Sequence, residues 1–325
     1  MSERYGIAPI NLTGLKTVSL AERGGKVRTE DFAKPWKPDS GVAGLIDSMP
    51  RILAADTLRA VADAVLAARA KGKPIIWGMG GHVIKCGLAP ILIDLMRRGL
   101  ATAFAMNGSG SIHDFEIAVA GHTSEDVESV LPDGRFGSAE ETGREWNRAM
   151  SAAMVGKFGA GEALGRSLEM LAAAEHAEAS ILLQAWRAHV PVTVHVAIGT
   201  DTPHTHPAAQ PEAIGSATHY DFRLFCSLVE ALNDGGVYIN AGSAVVMPEV
   251  FLKAVSCVRN LGRKLGNFTT VNLDFIQHYR PRVNVVERPH IPMSGAQGGG
   301  KGYSLTGHHE IMIPLLAAIL IGTTS

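Results

Sequence analysis

Short apolar runs alternate with amphipathic segments along most of this chain. Residues 58–70 carry apolar side chains at helical spacing behind Asp56, which is placed to cap a helix, and residues 74–77 then form an apolar run of strand length. Residues 88–98 predict a second helix closed by Gly99, and residues 102–106 the next strand. This order predicts parallel pairing, because each helix returns the chain to the same end of the sheet.

The alternation of predicted strands and helices continues to the C-terminus. Further strands are predicted at 192–196, 237–239, 268–273 and 282–286, and an Ala-rich stretch at about 134–189 predicts a helical insertion. We therefore predict an α/β fold with a doubly wound, mostly parallel, Rossmann-like sheet. Residues 41–325 would form one domain. Residues 1–40 would form an arm, which either packs on another subunit through Trp36 or is a poorly ordered tail.

Composition excludes several kinds of partner. The formal net charge is −1 and no basic run occurs, so no nucleic-acid partner is expected. The three cysteines, Cys86, Cys226 and Cys257, are far apart, which favours a reducing, cytoplasmic location and buried thiols. The first ten residues contain no apolar run, so no secretory signal is expected. Residues 311–322 fall short of the ~20 needed to cross a bilayer and predict a buried helix, so no membrane partner is expected either.

Glycine-rich loops follow the first two predicted strands. In parallel sheets ligands bind outside the carboxyl ends of the strands, so both loops are candidate sites. Residues 78–82 begin a helix but lack the third glycine of the dinucleotide fingerprint, so they favour backbone approach to some ligand more than that motif. In the second loop Ser111 can cap a helix. His113 and Asp114 are there either an acid/base or binding pair, or an exposed histidine beside a carboxylate that complements the helix dipole.

Two later loops carry candidate chemistry of other kinds. Asp201, His204 and His206 offer metal ligands on one loop, or else are solvated side chains. Lys301 follows three glycines; it is either a nucleophilic lysine close to a ligand or a solvated residue of a flexible loop.

The order of these loops resembles deoxyhypusine synthase. The similarity is best over residues 75–116, 242–260 and 294–317, which include Asn-Gly, Ser-Gly-Ala and Gly-Lys elements. It implies an NAD-binding sheet, a homotetramer, and aminoalkyl transfer from a polyamine through an imine on Lys301. By this resemblance, cofactor contacts would be Gly78, Gly80, Gly81, His82, Asn107, Gly108, Ser109, Asp201, Ser294 and Gly295. His113 and Asp114, as a binding pair at the start of a helix, would contact the substrate.

Departures from that family bear on the substrate. Val250 and Phe251 replace its histidine pair, so His290 or His309 would have to carry the proton. The acidic residues that hold spermidine are absent from the shortened stretch at Gln297–Gly298, which predicts a different amine. Two alternatives stay open. One is a metal-dependent hydrolase or lyase using Asp201, His204 and His206 with a divalent metal, and the other is a non-catalytic ligand-binding homologue.

Overall fold

Six strands form one sheet in the computed structural model, which describes residues 6–173, 175–291 and 300–322. The strands are β1 Ile75–Met79, β2 Ala103–Asn107, β3 Val192–His195, β4 Val237–Ala241, β5 Thr269–Asp274 and β6 Lys301–Thr306. Their spatial order is β3-β2-β1-β4-β5-β6, and every neighbouring pair is parallel. The predicted doubly wound, parallel fold is therefore confirmed.

Helices connect the strands and cover both faces of the sheet. Their bounds are α1 Gly41–Ser48, α2 Leu53–Ala70, α3 Gly81–Lys85, α4 Ala89–Arg97, α5 Gly108–Ala120, α6 Val127–Val130, α7 Glu140–Gly156, α8 Ala160–Leu171, α9 Ile181–Arg187, α10 Pro211–Glu230, α11 Val246–Asn260, α12 Tyr279–Pro281 and α13 His309–Gly322. None of the described helices is long and apolar enough to cross a membrane.

The core lies in two layers because strand side chains alternate between faces. Ile75, Trp77 and Met79 belong to the larger layer under α2, α4 and α13, whereas Ile76 belongs to the layer under α10 and α11. All five residues of β1 are buried, as expected for a central parallel strand covered on both faces.

Some predicted element bounds differ from the structure. Helix α2 begins at Leu53, so Asp56 lies in its first turn and complements the helix dipole instead of capping the helix. Helix α5 is capped by Asn107, whose side chain accepts a hydrogen bond from the amide of Gly110 at 2.9 Å, and Ser111 lies inside it.

The predicted strand at 282–286 is wrong. Arg282–Glu287 forms a π-helix that buries Val283, Asn284 and Val285. The sheet position beside β5 is taken instead by β6, which begins at Lys301. Short valine-rich segments carry no decisive periodicity, so tertiary packing selects which segment extends the sheet.

Candidate functional site

The strand order reverses between β1 and β4, which makes this the topological switch point of the sheet. The loops after the two strands touch. The amide of Gly80 donates to the carbonyl of Ala241 at 3.1 Å, and a Cβ on Gly80 would lie 2.3 Å from the carbonyl oxygen of Gly242. Only glycine permits this approach, so the loops after β1 and β4 form one packed unit.

The start of α5, which follows β2 directly, and the loop after β3 join this unit. A Cβ on Gly81 would lie 2.3 Å from the hydroxyl of Ser109, and a Cβ on Gly108 would lie 2.0 Å from the carboxylate of Asp201. The structure thus brings together Gly80, Gly81, Gly108, Ser109 and Asp201. It also explains these glycines by packing between loops, while their contact with a cofactor stays a prediction.

Gly78 and His82 differ from that group. Gly78 lies within β1, where its missing side chain makes room for the hydroxyl of Tyr238, so it does not border the crevice. The imidazole of His82 turns toward Cys86, with its Nε2 3.2 Å from the cysteine sulfur.

A cavity of about 830 Å³ lies beside these loops. Its volume falls within the range of small-molecule and cofactor sites, roughly 300–1,000 Å³. Helix α5 forms one wall, and the segment around residues 122–127, the start of α7 and the loop at 200–202 form the others. Its charged and imidazole-bearing lining residues are Glu116, Glu125, Glu141, Asp201, Lys85, His113 and His122. Carboxylates outnumber cations on this lining, so the cavity favours a cationic ligand.

A chain of hydrogen bonds crosses this cavity wall. Nδ1 of His113 lies 2.7 Å from the hydroxyl of Thr123, which also hydrogen-bonds to Glu116. The other carboxylate oxygen of Glu116 accepts from the hydroxyl of Thr142 at 3.1 Å. Burial alone would raise the pKa of Glu116, but the bonds and the nearby His113 outweigh it, and the pKa is lowered. Glu116 is therefore held ionised in the pocket.

Asp201 is buried at the edge of the cavity. Burial raises the pKa of its carboxyl group, although nearby His204 and the amide of Ala197 oppose the shift. Nε2 of His204 lies 3.9 Å from the carboxylate, whereas His206 faces Glu140 at 3.1 Å. The three residues of the alternative metal site therefore do not converge on one point. Within the described ranges, the one set of three metal-ligating side chains that does converge is a different one, His82, Cys86 and Glu310.

Asp114 faces the protein interior instead of the cavity. Its carboxylate is fully buried and accepts hydrogen bonds from the hydroxyl of Ser180 at 2.6 Å and from the amides of Ile181 and Leu182 at 2.7 and 3.0 Å. It therefore caps the N-terminus of α9. Burial raises the pKa of Asp114 to about 6, even though these hydrogen bonds act to lower it.

Lys301 and His290 lie at the opposite end of the sheet from the loops. Lys301 pairs with Thr269, which pairs with Val237 and through it with Ile75, the first residue of β1. Lys301 therefore lies at the level of Ile75, and the chain rises about 16 Å from Ile75 to Gly80. The Lys301 amine is exposed above the ring of Tyr303. The expectation that Lys301 projects into the crevice is therefore wrong, because the lysine is the first residue of its strand and lies at the amino end of the sheet.

His290 contacts the hydroxyl of Thr270 through Nε2 at 2.7 Å, near the amino end of β5. Burial lowers its pKa to about 4. It is too far from the switch point to serve a reaction there. Ser294 and Gly295 lie outside the described residues.

His309 lies at the correct end, after β6. Its Nε2 is 3.2 Å from the carbonyl oxygen of Leu273, which can only accept, so Nε2 carries the proton. Burial lowers the pKa of His309, which keeps the ring neutral near pH 7. Nδ1 is then a buried acceptor that has no partner in the described part of the chain. The side-chain oxygen Oδ1 of Asn240, near the carboxyl end of β4, is also buried and has no hydrogen-bond partner among the described residues.

Several of these residues were not identified as site residues from the sequence. Thr123 and Thr142 lie outside any motif, and Glu116 becomes distinctive only when the cavity is known. Cys86 gave one usable signal, because His82 precedes it by four residues at the start of a helix.

Comparisons with known proteins establish the fold. No protein-family profile and no curated protein matches the chain. The solved ternary complex of AgrE with ornithine and NAD+ superposes with a TM-score of 0.52 at 15% identity, over 83% of this chain and 33% of AgrE. A provisionally assigned LOR/SDH protein from Methanococcus maripaludis S2 gives 0.52 at 15% identity, over 84% of this chain and 71% of that one. A provisionally assigned deoxyhypusine synthase from Entamoeba histolytica gives 0.49 at 11% identity, over 90% and 98%.

This chain spans about a third of the length of AgrE. At such low identities the likeness concerns the fold, which this chain shares with AgrE and the LOR/SDH protein. The roles of individual residues have to be argued from the site itself.

Proposed function

We propose that this chain binds NAD at the switch-point loops and uses it to oxidise a cationic amine held in the neighbouring cavity. The observation that carries the proposal is the carboxylate-rich cavity beside four converging segments at the carboxyl ends of a parallel sheet. The structure of AgrE, which shares this fold, was solved with ornithine and NAD+.

The residues at the switch point fit a dinucleotide in three respects. Asp201 is a buried acceptor at the cavity edge, suited to ribose hydroxyls, as in other dinucleotide sites where an acidic residue takes that role. Nδ1 of His309 and Oδ1 of Asn240 have no hydrogen-bond partner among the described residues, and both are acceptors suited to hydroxyl or amide donors. Gly80 and Gly81 let the neighbouring segments pack closely enough to border one crevice. When bound, NAD would accept a hydride from the carbon that carries the amine.

The cavity residues would bind and deprotonate the amine. Glu116, held ionised by its hydrogen bonds, would pair with the ammonium group. His113 is tied to Thr123 through Nδ1 and is the group suited to take the ammonium proton, which must leave before hydride transfer. Glu116 on α5 and Glu141 on α7, which both line the cavity, would take the place of the acidic residues that are missing relative to deoxyhypusine synthase.

The proposal extends to a second step, in which the oxidised amine forms an imine with a lysine before its aminoalkyl group is transferred. Since Lys301 lies at the far edge, the lysine available to the cavity is Lys85, which lines it. Borohydride added during turnover with NAD and a diamine would reduce such an imine to a stable adduct. A mass increase on the peptide containing Lys85 supports transfer, whereas no adduct means that the oxidised product is released.

Binding and turnover test the main proposal separately. Calorimetric titration with NAD+ and with ADP-ribose should show binding, and NADH absorbance should rise when ornithine, putrescine or spermidine is added. Failure of both nucleotides to bind would refute the cofactor assignment. Binding without reduction by any cationic amine would refute the reaction and favour a non-catalytic ligand-binding protein.

Glu116→Gln sharpens the test. Losing a charge-assisted hydrogen bond costs about 1.5–3 kcal/mol, so KM for the amine should rise about 10- to 150-fold with NAD affinity unchanged. Glu169→Gln is the matched control, because Glu169 pairs with Arg187 on the surface, away from the cavity lining. Equal effects of the two substitutions would remove Glu116 from substrate binding.

We also propose that the arm contributes to a homotetramer. Its large apolar side chains are exposed, among them Ile7, Ile10, Leu15 and Leu20 at 70–84%. A row of this kind is typical of a surface that another subunit covers. Light scattering on the full chain should report a tetramer, and deletion of residues 1–32 should reduce the assembly. A monomeric full chain would contradict this.

A further inference from the structure

Three side chains that can bind a metal, an imidazole, a thiol and a carboxylate, lie close together where α3, after β1, meets the start of α13, after β6. His82 and Cys86 lie one helical turn apart, at the start and just past the end of α3, and Glu310 lies in the first turn of α13. The sulfur of Cys86 is 3.2 Å from Nε2 of His82 and 3.8 Å from an oxygen of Glu310. All three ligand atoms lie within 4.8 Å of one another.

These separations match a tetrahedral metal site. With zinc–sulfur bonds of about 2.3 Å and zinc–nitrogen or zinc–oxygen bonds of about 2.0–2.1 Å, two ligand atoms of a tetrahedron lie about 3.5 Å apart. The observed distances of 3.2 and 3.8 Å lie on either side of that value. Two of the three separations therefore fit one tetrahedral ion, and the third pair, His82 and Glu310, lies within 4.8 Å, close enough for side-chain rotation to complete the site.

The ligand types select the metal. A thiolate disfavours magnesium and calcium, while the set of thiolate, imidazole and carboxylate suits zinc. We propose that His82, Cys86 and Glu310 bind one Zn2+ through three protein ligands, with the fourth coordination position open. Sites with three protein ligands and an open position are typical of zinc that acts on a bound molecule. This assignment does not depend on NAD binding.

The residues around the three ligands are consistent with a metal site. Nδ1 of His308 lies 3.8 Å from the second oxygen of Glu310, so a fourth side chain, an imidazole, lies beside the three ligands. The ring of Phe275 packs between His82 and His308, with centroid distances of 5.6 and 5.9 Å. His82 and Glu310 are exposed, which leaves a path for the ion to enter.

The competing explanation is a thiol–imidazole hydrogen bond that needs no metal. Burial, followed by the charge of Glu310, raises the pKa of the Cys86 thiol, so the free protein keeps its proton there. Zinc would then have to displace that proton. Direct measurement of metal distinguishes the two explanations.

The experiment uses the full chain, stripped with a chelator and then titrated with Zn2+ in competition with a chromophoric chelator. We expect one zinc per chain. Co2+ in place of zinc should give a thiolate-to-cobalt charge-transfer band and the intense visible absorption of a tetrahedral ion. Absence of stoichiometric binding, or a cobalt spectrum without the thiolate band, would overturn the proposal.

Variants locate the site. Cys86→Ser should abolish the thiolate band, and His82→Ala and Glu310→Gln should each weaken zinc binding more than about 100-fold, beyond the loss typical of outer-shell residues. Cys257→Ser and His206→Gln are matched controls on other elements and should leave affinity and spectrum unchanged. Circular dichroism of each variant checks that it folds. Retention of the band in folded Cys86→Ser, or its loss in Cys257→Ser, would place the metal elsewhere.

Discussion

Replacing Gly80 with alanine should separate the loops after β1 and β4. The added Cβ would lie 2.3 Å from the carbonyl oxygen of Gly242, about 1 Å short of the 3.4 Å at which ordinary contact begins. Both sides of this contact are backbone, so no side chain can rotate away to relieve it. The two loops must move apart, and overpacking of this kind typically costs about 1–3 kcal/mol.

The same movement should weaken nucleotide binding, because it opens the crevice that the loops form. The measurements are the urea midpoint at unchanged m-value and the calorimetric affinity for NAD+. Gly215→Ala is the matched control. Gly215 lies inside α10 with nothing within 4 Å of its added Cβ, so this variant should be about 0.5–1 kcal/mol more stable than the wild type. A Gly80→Ala protein with the wild-type midpoint and full NAD+ affinity would refute the packing argument.

Three further outcomes are expected. Asp221→Asn should be nearly neutral below pH 4 and stabilising by up to roughly 4 kcal/mol at pH 8, measured by urea unfolding at several pH values, because burial raises the pKa of Asp221 to about 7. Asp114→Ala should lower the unfolding free energy by about 2–4 kcal/mol, since it leaves the buried amides of Ile181 and Leu182 without their acceptor. Lys301→Ala should change kcat/KM for the amine less than about twofold, because the lysine lies at the far edge of the sheet.

The sign of the Asp221 prediction follows from linkage. The folded pKa is raised above the unfolded value of 3.8, so the stability that protonated Asp221 supports is complete below pH 4 and is lost as the pH rises through about 7. Asparagine keeps an oxygen for the amides of Val194 and Gly161 but cannot ionise. A stabilisation independent of pH would contradict this account. For Lys301, a loss of turnover comparable to that of Glu116→Gln would contradict the placement of the site.

Local pattern determined the class of the fold. Buried strands such as Ile75–Met79 and Val237–Ala241 appear in the sequence as short apolar runs, and the helices between them as apolar positions at helical spacing. Because a helix follows each strand and returns the chain to the same end of the sheet, the alternation of strands and helices predicts parallel pairing. The glycines and asparagine at 107–110 also located the end of β2, but the loop predicted there is wrong, because Asn107 ends the strand and caps α5, which begins at Gly108.

The tertiary structure decided which residues share the site. Lys301 and His82 both lie beside glycines in the sequence, yet Lys301 begins its strand and His82 comes after the end of its strand, so they lie at opposite ends of the sheet. Asp114 and Glu116 are two residues apart on α5, but the helical turn directs one carboxylate into the core and the other into the cavity. Sequence periodicity records which positions are buried, whereas the end of the sheet and the partner across a crevice depend on strand direction and loop packing between distant segments.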